Sequence, residues 1–134
     1  MKEPVWLKYE AVLSIQVRLL AQFGGLAGVR DEGLLQSALH RPHQQFAYGK
    51  PDLFALAAAY AHGIVKNHPF LDGNKRAGFM AAYTFLGLNG EEFQAPEEGV
   101  VLQTLALAAG EIKEADYTAW LRASCPKRRR VRRG

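Results

Sequence analysis

The sequence predicts an all-α protein, a compact single-domain bundle of about six helices over residues 1–126. Apolar residues recur at helical spacing along most of the chain, and Gly, Pro or Asp stands between most of the periodic segments. A length of 134 residues favours one domain, which can bury about two thirds of its unfolded surface. Residues 127–134, KRRRVRRG, are set apart as a basic tail that we expect to be disordered.

Two helices are predicted in the first third of the chain. Residues 8–22 carry an amphipathic apolar stripe, and the glycine pair that begins at Gly24 ends this helix. Asp31 is placed to cap the N-terminus of a second helix. Pro42 is expected to stop that helix, so residues 40–51 are predicted to be a long irregular connection, either a surface loop or a cover over a pocket.

The third and fourth helices are predicted to form the centre of the fold. Asp52 caps the third, and Pro69 should hold His68 in an extended conformation that ends it. The fourth helix begins near Gly73 and ends near residue 90, where Asn and Gly follow each other. Both helices are apolar nearly all round, which is typical of buried helices.

The last third is predicted to add two helices. The fifth has Pro96 and two glutamates in its first turn, a composition that suits a helix N-terminus. The sixth covers about residues 114–124, with Tyr117, Trp120 and Leu121 on one face. The single strand candidate is Glu92–Gln94, which is too short to change the fold class.

Composition excludes several classes of protein. Six of the 17 basic residues lie in residues 127–134, which leaves 11 basic against 13 acidic residues, so the body is not a basic nucleic-acid-binding domain. Cys125 is the only cysteine, which rules out an internal disulfide framework and suits a reducing cytosol. The charged N-terminus does not resemble a signal peptide, and the longest uncharged runs are shorter than the roughly 20 residues of a membrane span.

A cluster of polar residues, HPFLDGNKR, lies between the two most apolar helices at residues 68–76. The start of a helix attracts anions because its first N–H groups are unpaired and its dipole is positive there. Gly73 lets the backbone approach a phosphate, Asn74 can donate from its amide, and Lys75 and Arg76 add positive charge. These four residues therefore predict a phosphate-binding turn.

Two further residues of this cluster suggest chemistry. Asp72 has the sign and ligand type to hold Mg²⁺ beside a polyphosphate, and His68 can take a proton from an incoming hydroxyl. Together with the phosphate-binding turn they suit transfer of a phosphoryl or nucleotidyl group. The alternative is structural: Asp-Gly-Asn is also an ordinary turn and helix cap, and each of these residues alone is more often a surface residue than a ligand.

HPFLDGNKR resembles the active-site signature of the Fic/Doc family, H-x-F-x-(D/E/N)-(A/G)-N-(G/K)-(K/R). The version with Asn-Lys-Arg resembles the Doc branch, the death-on-curing toxins of toxin–antitoxin modules. Segments elsewhere fit the same pattern in order, and they are FGGLAG (23–28), RDEGLLQSAL (30–39), DLFALAAAYAHGIVKNHPF (52–70), TFLGLNG (84–90) and YTAWLR (117–122).

The resemblance implies a role for each matching residue. His68 would be the general base, Asp72 the Mg²⁺ ligand, and Arg76 a ligand of the nucleotide phosphates, with Gly73, Asn74 and Lys75 forming the anion-binding turn. Lys66, two residues before the histidine, would add a phosphate contact, although a lysine at a helix end is an equal alternative. The implied cofactors are ATP and Mg²⁺.

Two departures from the nucleotidyl-transferring Fic pattern bear on the reaction. That pattern has Gly at the position of Lys75 and a second Arg at the position of Phe79. A lysine in place of the glycine should shift the nucleotide so that its γ-phosphate faces the hydroxyl. The resemblance thus implies a protein kinase acting on a Ser or Thr of the translation machinery, elongation factor Tu in the Doc case. An AMP-transferase and a catalytically silent partner-binding module are the alternatives.

Regulation and the remaining features give weaker indications. No Ser or Thr of the chain begins the self-inhibitory motif S/T-x-x-x-E-(G/N) of many Fic proteins, so the resemblance implies inhibition by a separate antitoxin. His40 and His43 have a helical metal spacing but no third ligand, and His62 is expected to be a polar core residue. The tail 127–134 could contact nucleic acid or an acidic partner through its charge.

Overall fold

The structure, a computed structural model, describes residues 2–127 and confirms the all-α prediction. Six helices follow in order: α1 (Tyr9–Phe23), α2 (Glu32–Gly49), α3 (Leu53–Asn67), α4 (Asn74–Leu88), α5 (Glu97–Ala109) and α6 (Glu114–Ala123). The predicted strand at 92–94 is wrong, since the β-type pairing within residues 2–127 is a single bridge between Val29 and Phe70. The basic residues 128–134 lie outside the described part.

Helices α3 and α4 form the centre, as their composition predicts. Nine of the 15 residues of α3 and seven of the 15 of α4 are buried. Small residues allow close packing: a Cβ added to Gly78 would lie 2.7 Å from a methyl group of Val65, and one added to Gly63 would lie 3.1 Å from Ala38. The segment between α3 and α4 therefore joins two closely packed, buried helices.

Helix α2 is longer than predicted, because it continues through Pro42 to Gly49. The predicted irregular connection over residues 40–51 is therefore wrong, and so is its role as a cover. A proline inside a helix costs about 3 kcal/mol, since it lacks an N–H and crowds the preceding turn. Here Pro42 is buried, Phe46 packs against the core, and Trp6 meets Phe46 edge to face at 5.6 Å. This burial on the far side of the proline offsets its cost.

The predicted caps are confirmed at α2 and α3. The Asp31 carboxylate accepts a hydrogen bond from the N–H of Leu34, and Asp52 accepts one from Ala55. The end of α3 differs from the prediction, because His68 is left-handed (φ 50°, ψ 53°) rather than extended. At this position, helix capping takes precedence over the extended conformation that a residue before proline prefers.

The remaining elements close the bundle. The N-terminal segment is fastened by a hydrogen bond from the Leu7 N–H to the hydroxyl of Tyr60. Helix α5 begins after Pro96, which is its N-cap, and is joined to α6 by a hydrogen bond between Thr104 and Tyr117 of 2.9 Å. Among the helices of residues 2–127, none combines the length and apolarity needed to cross a membrane.

Candidate active site

A cavity of about 680 Å³ opens where the end of α1 and the start of α4 face α5. Its polar side is formed by seven of the nine residues of HPFLDGNKR, namely His68, Leu71, Asp72, Gly73, Asn74, Lys75 and Arg76. Its other walls are largely apolar, with Phe79 and Met80 of α4 and Val101 and Leu105 of α5. The structure thus places six of the seven predicted site residues, all except Lys66, around one space with an apolar extension.

The start of α4 has the features of an anion site. Gly73 is the N-cap in the left-handed conformation (φ 74°), and no side chain caps the first turn. The N–H groups of that turn are therefore free of a capping carboxylate or hydroxyl, and the positive end of the helix dipole faces the cavity. Lys75 and Arg76 are exposed beside it, so a phosphate group would meet both backbone donors and positive side chains.

Asn74 has a structural role that its sequence position did not reveal. Its side chain is buried and makes two hydrogen bonds with the main chain of Phe70: the amide donates to the Phe70 carbonyl at 3.1 Å, and the amide oxygen accepts from the Phe70 N–H at 3.0 Å. The predicted donation from this amide to a phosphate therefore competes with a bond that closes the turn. Asn74 fixes the shape of the site from within.

Asp72 is held by backbone donors on both carboxylate oxygens. Oδ1 accepts from the N–H of Gly73 at 2.9 Å, and Oδ2 accepts from the N–H of Leu26 at 3.3 Å. Gly25 permits the second contact, since a Cβ there would lie 2.7 Å from Oδ2. One lone pair on each oxygen remains, and the side chain is exposed.

These features fit a magnesium ion that takes part of its shell from phosphate. Within residues 2–127 there is no group of three or more His, Cys, Asp or Glu side chains able to hold a metal together. Mg²⁺ bound with a nucleotide needs one or two carboxylates, and phosphate oxygens and waters complete its octahedron. Asp72, oriented and exposed next to the phosphate-binding turn, is the residue that would hold it.

His68 ends α3 at the edge of the cavity. Its N–H donates to the Ile64 carbonyl, and its side chain is exposed. Sequence reasoning missed Arg30, whose guanidinium binds the carbonyls of His68 and Asn67 at 2.7 and 2.9 Å. The one available signal was that a cation favours the carbonyl end of a helix, but nothing in the sequence shows that a residue 38 positions away would supply it.

Arg76 and Phe79, which both line the cavity, make different contacts with aromatic rings. The Arg76 guanidinium lies over the ring of Phe23 with 4.1 Å to its centroid, which holds the charge at the mouth by a cation–π contact. Phe79 packs edge to face on Phe93 at 5.3 Å and stands where the nucleotidyl-transferring pattern has an arginine. The wall at this point is therefore aromatic instead of cationic.

Lys66 is not brought to the cavity. Its ammonium group donates to the carbonyl of Ala108 at 3.3 Å, at the C-terminal end of α5. This is the helix-end alternative that the sequence left open. The predicted phosphate contact of Lys66 has no support from its position.

The other histidines lie away from the cavity. His40 and His43 stack at 5.9 Å between ring centroids, and Trp6 covers His43 at 3.9 Å, an aromatic surface stack. His62 lies near Glu114, and burial lowers the pKa of this imidazole below its ordinary range. Burial also acts to raise the pKa of the Glu114 carboxyl, but a hydrogen bond and the charge of Arg41 outweigh it, so that pKa is lowered.

Comparison with known proteins gives concordant matches. A family model described as the Fic/DOC family matches residues 6–86. The chain is 46% identical over 76 residues to a protein named Toxin Doc from Mycolicibacterium smegmatis, an alignment that covers 54% of this chain and 58% of that protein. It is 31% identical over 115 residues to a protein named Protein kinase doc from Escherichia phage P1, covering 84% of this chain and 90% of that protein. The chain thus spans just over half the length of the mycobacterial relative.

Proposed function

Because this chain belongs to the Fic/Doc family, in its Doc branch, we propose that it is a Doc-type toxin acting as a protein kinase. It would transfer the γ-phosphate of ATP to a Ser or Thr hydroxyl of a translation protein and so arrest growth. Elongation factor Tu is the target that the family resemblance implies. The proposal places the chain in the cytoplasm, where ATP and the translation machinery are found.

The observation that carries the proposal is the convergence of an anion site, an oriented carboxylate and a histidine on one cavity. The N-terminus of α4, with Lys75 and Arg76, would bind the polyphosphate. Asp72 would hold Mg²⁺, which neutralises phosphate charge when bound. His68 would accept the proton of the attacking hydroxyl as that oxygen approaches phosphorus. Most of the catalysis would come from positioning and charge, as is general for phosphoryl transfer.

The choice of the γ-phosphate rests on Lys75 and Phe79. Lys75 fills a position beside the α4 N-terminus that a glycine would leave open, and Phe79 supplies an aromatic wall where a second arginine would bind phosphate. A site with less room beside the start of α4, and with no second arginine at position 79, favours the outer phosphate facing the hydroxyl. AMP transfer is the second candidate, because the same cavity has space for the whole nucleotide.

The apolar extension of the cavity supports an inhibitory partner in trans. Val101 and Leu105 of α5 are 49% and 47% exposed and continue the cavity wall onto the surface. The chain has no self-inhibitory motif, so we propose that a cognate antitoxin lays an apolar helix against this wall. Such a partner would cover the cavity and restrain the toxin until it is removed.

Labelled ATP decides between the two transfers. Purified protein is incubated with elongation factor Tu and with ATP labelled at either the α or the γ phosphate. Label from the γ position on the target supports the kinase, and label from the α position shows AMP transfer. His68→Ala and Asp72→Asn should each abolish labelling, while His40→Ala, a matched exposed histidine on α2 away from the cavity, should leave it intact.

The remaining alternatives are separated in cells. Growth arrest that survives His68→Ala, with no label transfer, would support a silent binding module. Deletion of residues 127–134 should leave transfer intact if the cavity carries the function. Loss of growth arrest on this deletion alone, with transfer intact, would point to a partner of the basic tail.

A further inference from the structure

The loop between α1 and α2 makes several hydrogen bonds to the backbone around His68. The guanidinium of Arg30 donates from Nε to the His68 carbonyl at 2.7 Å and from Nη2 to the Asn67 carbonyl at 2.9 Å. The N–H groups of Arg30 and Asp31 both donate to the carbonyl of Pro69, at 2.7 and 3.1 Å. Three consecutive carbonyls, from residue 67 to residue 69, are therefore bound by two consecutive residues of this loop.

These hydrogen bonds surround His68, whose backbone conformation is unfavourable on its own. His68 is left-handed, a region that residues with a Cβ seldom adopt, and Pro69 further favours an extended conformation for the residue before it. Across residues 2–127 one other non-glycine residue, Lys50, has a positive φ, and it lies at the end of α2 away from the cavity. Strain of this kind persists where surrounding bonds over-determine the conformation, and it concentrates at functional sites.

We propose that Arg30 is a positioning residue that holds His68 in its left-handed conformation and so aims the imidazole at the cavity. This rests on the proposed function, in which His68 is the base. Arg30 suits the task because its planar fork holds two carbonyls in a fixed geometry, whereas a lysine offers a compact charge that would hold them less rigidly. Without the guanidinium, the carbonyls of His68 and Asn67 would lose this partner, and His68 would relax toward the extended conformation and move the imidazole out of reach of the hydroxyl. The main-chain bonds to the Pro69 carbonyl would remain.

The nucleotide site should not depend on Arg30. The α4 N-terminus is closed by the hydrogen bonds between Asn74 and Phe70, and Asp72 is oriented by the Leu26 N–H, so neither uses the guanidinium. Loss of Arg30 is therefore expected to lower kcat and to leave the KM for ATP unchanged. Loss of folded protein alone would also lower the apparent kcat at unchanged KM, so kcat is calculated per folded enzyme; a role in stability alone would leave that value unchanged.

Arg122 provides the matched control at the opposite end of α3. Its guanidinium binds the carboxylate of Asp52, the N-cap of that helix, at 2.6 Å. Arg122→Ala thus removes an exposed arginine that fastens one end of α3, as Arg30→Ala does at the other end. Arg122→Ala is expected to lower the unfolding midpoint and to leave kcat unchanged.

Kinetics at a temperature where each variant is folded give the first test. Arg30→Ala should reduce kcat by about 100-fold, the scale of a misplaced catalytic group. Arg30→Lys should recover part of the rate, and added guanidinium ion should restore part of it in Arg30→Ala. The proposal would be overturned if Arg122→Ala lost as much kcat as Arg30→Ala. It would also be overturned if the kcat losses of the two variants simply followed their losses of stability.

The second test does not need activity. Backbone chemical shifts and the amide–Hα coupling of His68 report the sign of its φ in wild type, Arg30→Lys and Arg30→Ala. A positive φ in wild type that is lost in Arg30→Ala supports the proposal. A positive φ retained in Arg30→Ala refutes it, whether or not the wild type transfers phosphate, so the failure of this inference and the failure of the kinase assignment remain separate results.

Discussion

The side chain of Asn74 offers the sharpest test of how the site is built. In the Fic/Doc signature this asparagine belongs to the anion-binding turn, but here its amide is engaged with both polar groups of the Phe70 main chain. Asn74→Ala removes both bonds at once. We expect the main effect to be on folding stability, with any loss of nucleotide affinity following from a turn that no longer closes.

The magnitude follows from the burial of the groups left without a partner. Phe70 is 1% exposed and Asn74 is 8% exposed, so the freed N–H and carbonyl would be shielded from most water. Each unpaired buried polar group costs about 1–3 kcal/mol. Water entering the vacated space should hold the total to about 2–4 kcal/mol. For a chain of this length that corresponds to roughly 3–5 °C in Tm per kcal/mol.

Urea unfolding and nucleotide titration of three variants measure the effect. Asn74→Asp keeps the acceptor for the Phe70 N–H but turns a carboxylate oxygen toward the Phe70 carbonyl and buries its charge, so it should lose at least as much stability as Asn74→Ala. Asn89→Ala is the control, because Asn89 makes comparable bonds to Val5 at the opposite end of α4. A nucleotide affinity at least about tenfold weaker in Asn74→Ala, at unchanged stability, would refute this reasoning and make the amide a direct ligand.

Three further predictions concern other parts of the molecule. The pKa values of His62 and Glu114 are lowered in the folded protein, so the unfolded chain binds more protons, and the free energy of unfolding should fall as pH drops below about 6.5. Urea titrations at several pH values should show that His62→Gln flattens the upper part of this profile. Lys66→Ala should leave the calorimetric Kd for Mg-ATP unchanged, because this ammonium group binds α5. Gly78→Ala should destabilise the protein by about 1–3 kcal/mol, because the added methyl group crowds α3. Gly87→Ala, in an open part of the same helix, should stabilise the protein by up to about 1 kcal/mol. Thermal melting measures both changes.

The helices were largely predictable because their signals are local. Asp31 and Asp52 cap the helices that their sequence positions predict, and the glycines and prolines mark most of the other ends. Pro42 misled the prediction because its cost is local, while the burial that offsets it involves Trp6, 36 positions earlier in the numbering. Extended residues near 92 resemble a strand in isolation, but a strand needs a partner that the sequence does not specify.

The candidate site was predictable as a set of residues and not as a set of bonds. Positions 68 and 72–76 do meet at one cavity, since the motif is a single turn between two buried helices. What the sequence could not show is which polar groups are already occupied. Asn74 is bonded to Phe70 and Lys66 to α5, while Arg30, from a distant loop, binds the carbonyl of His68. Each of these assignments depends on tertiary contacts between residues that no local pattern connects.

The turn between α3 and α4 joins helix ends of opposite polarity, so both ends influence the charge at the edge of the cavity. The last carbonyls of α3 form a partly negative end, and the first N–H groups of α4 form a partly positive one. A phosphate is attracted to the start of α4, whereas the carbonyls behind His68 would repel it. Arg30 binds two of those carbonyls and thereby masks the repulsive end. In the proposed kinase, loss of this guanidinium should therefore slow the approach of the hydroxyl to the γ-phosphate beside His68, and ATP binding at the start of α4 should be unchanged.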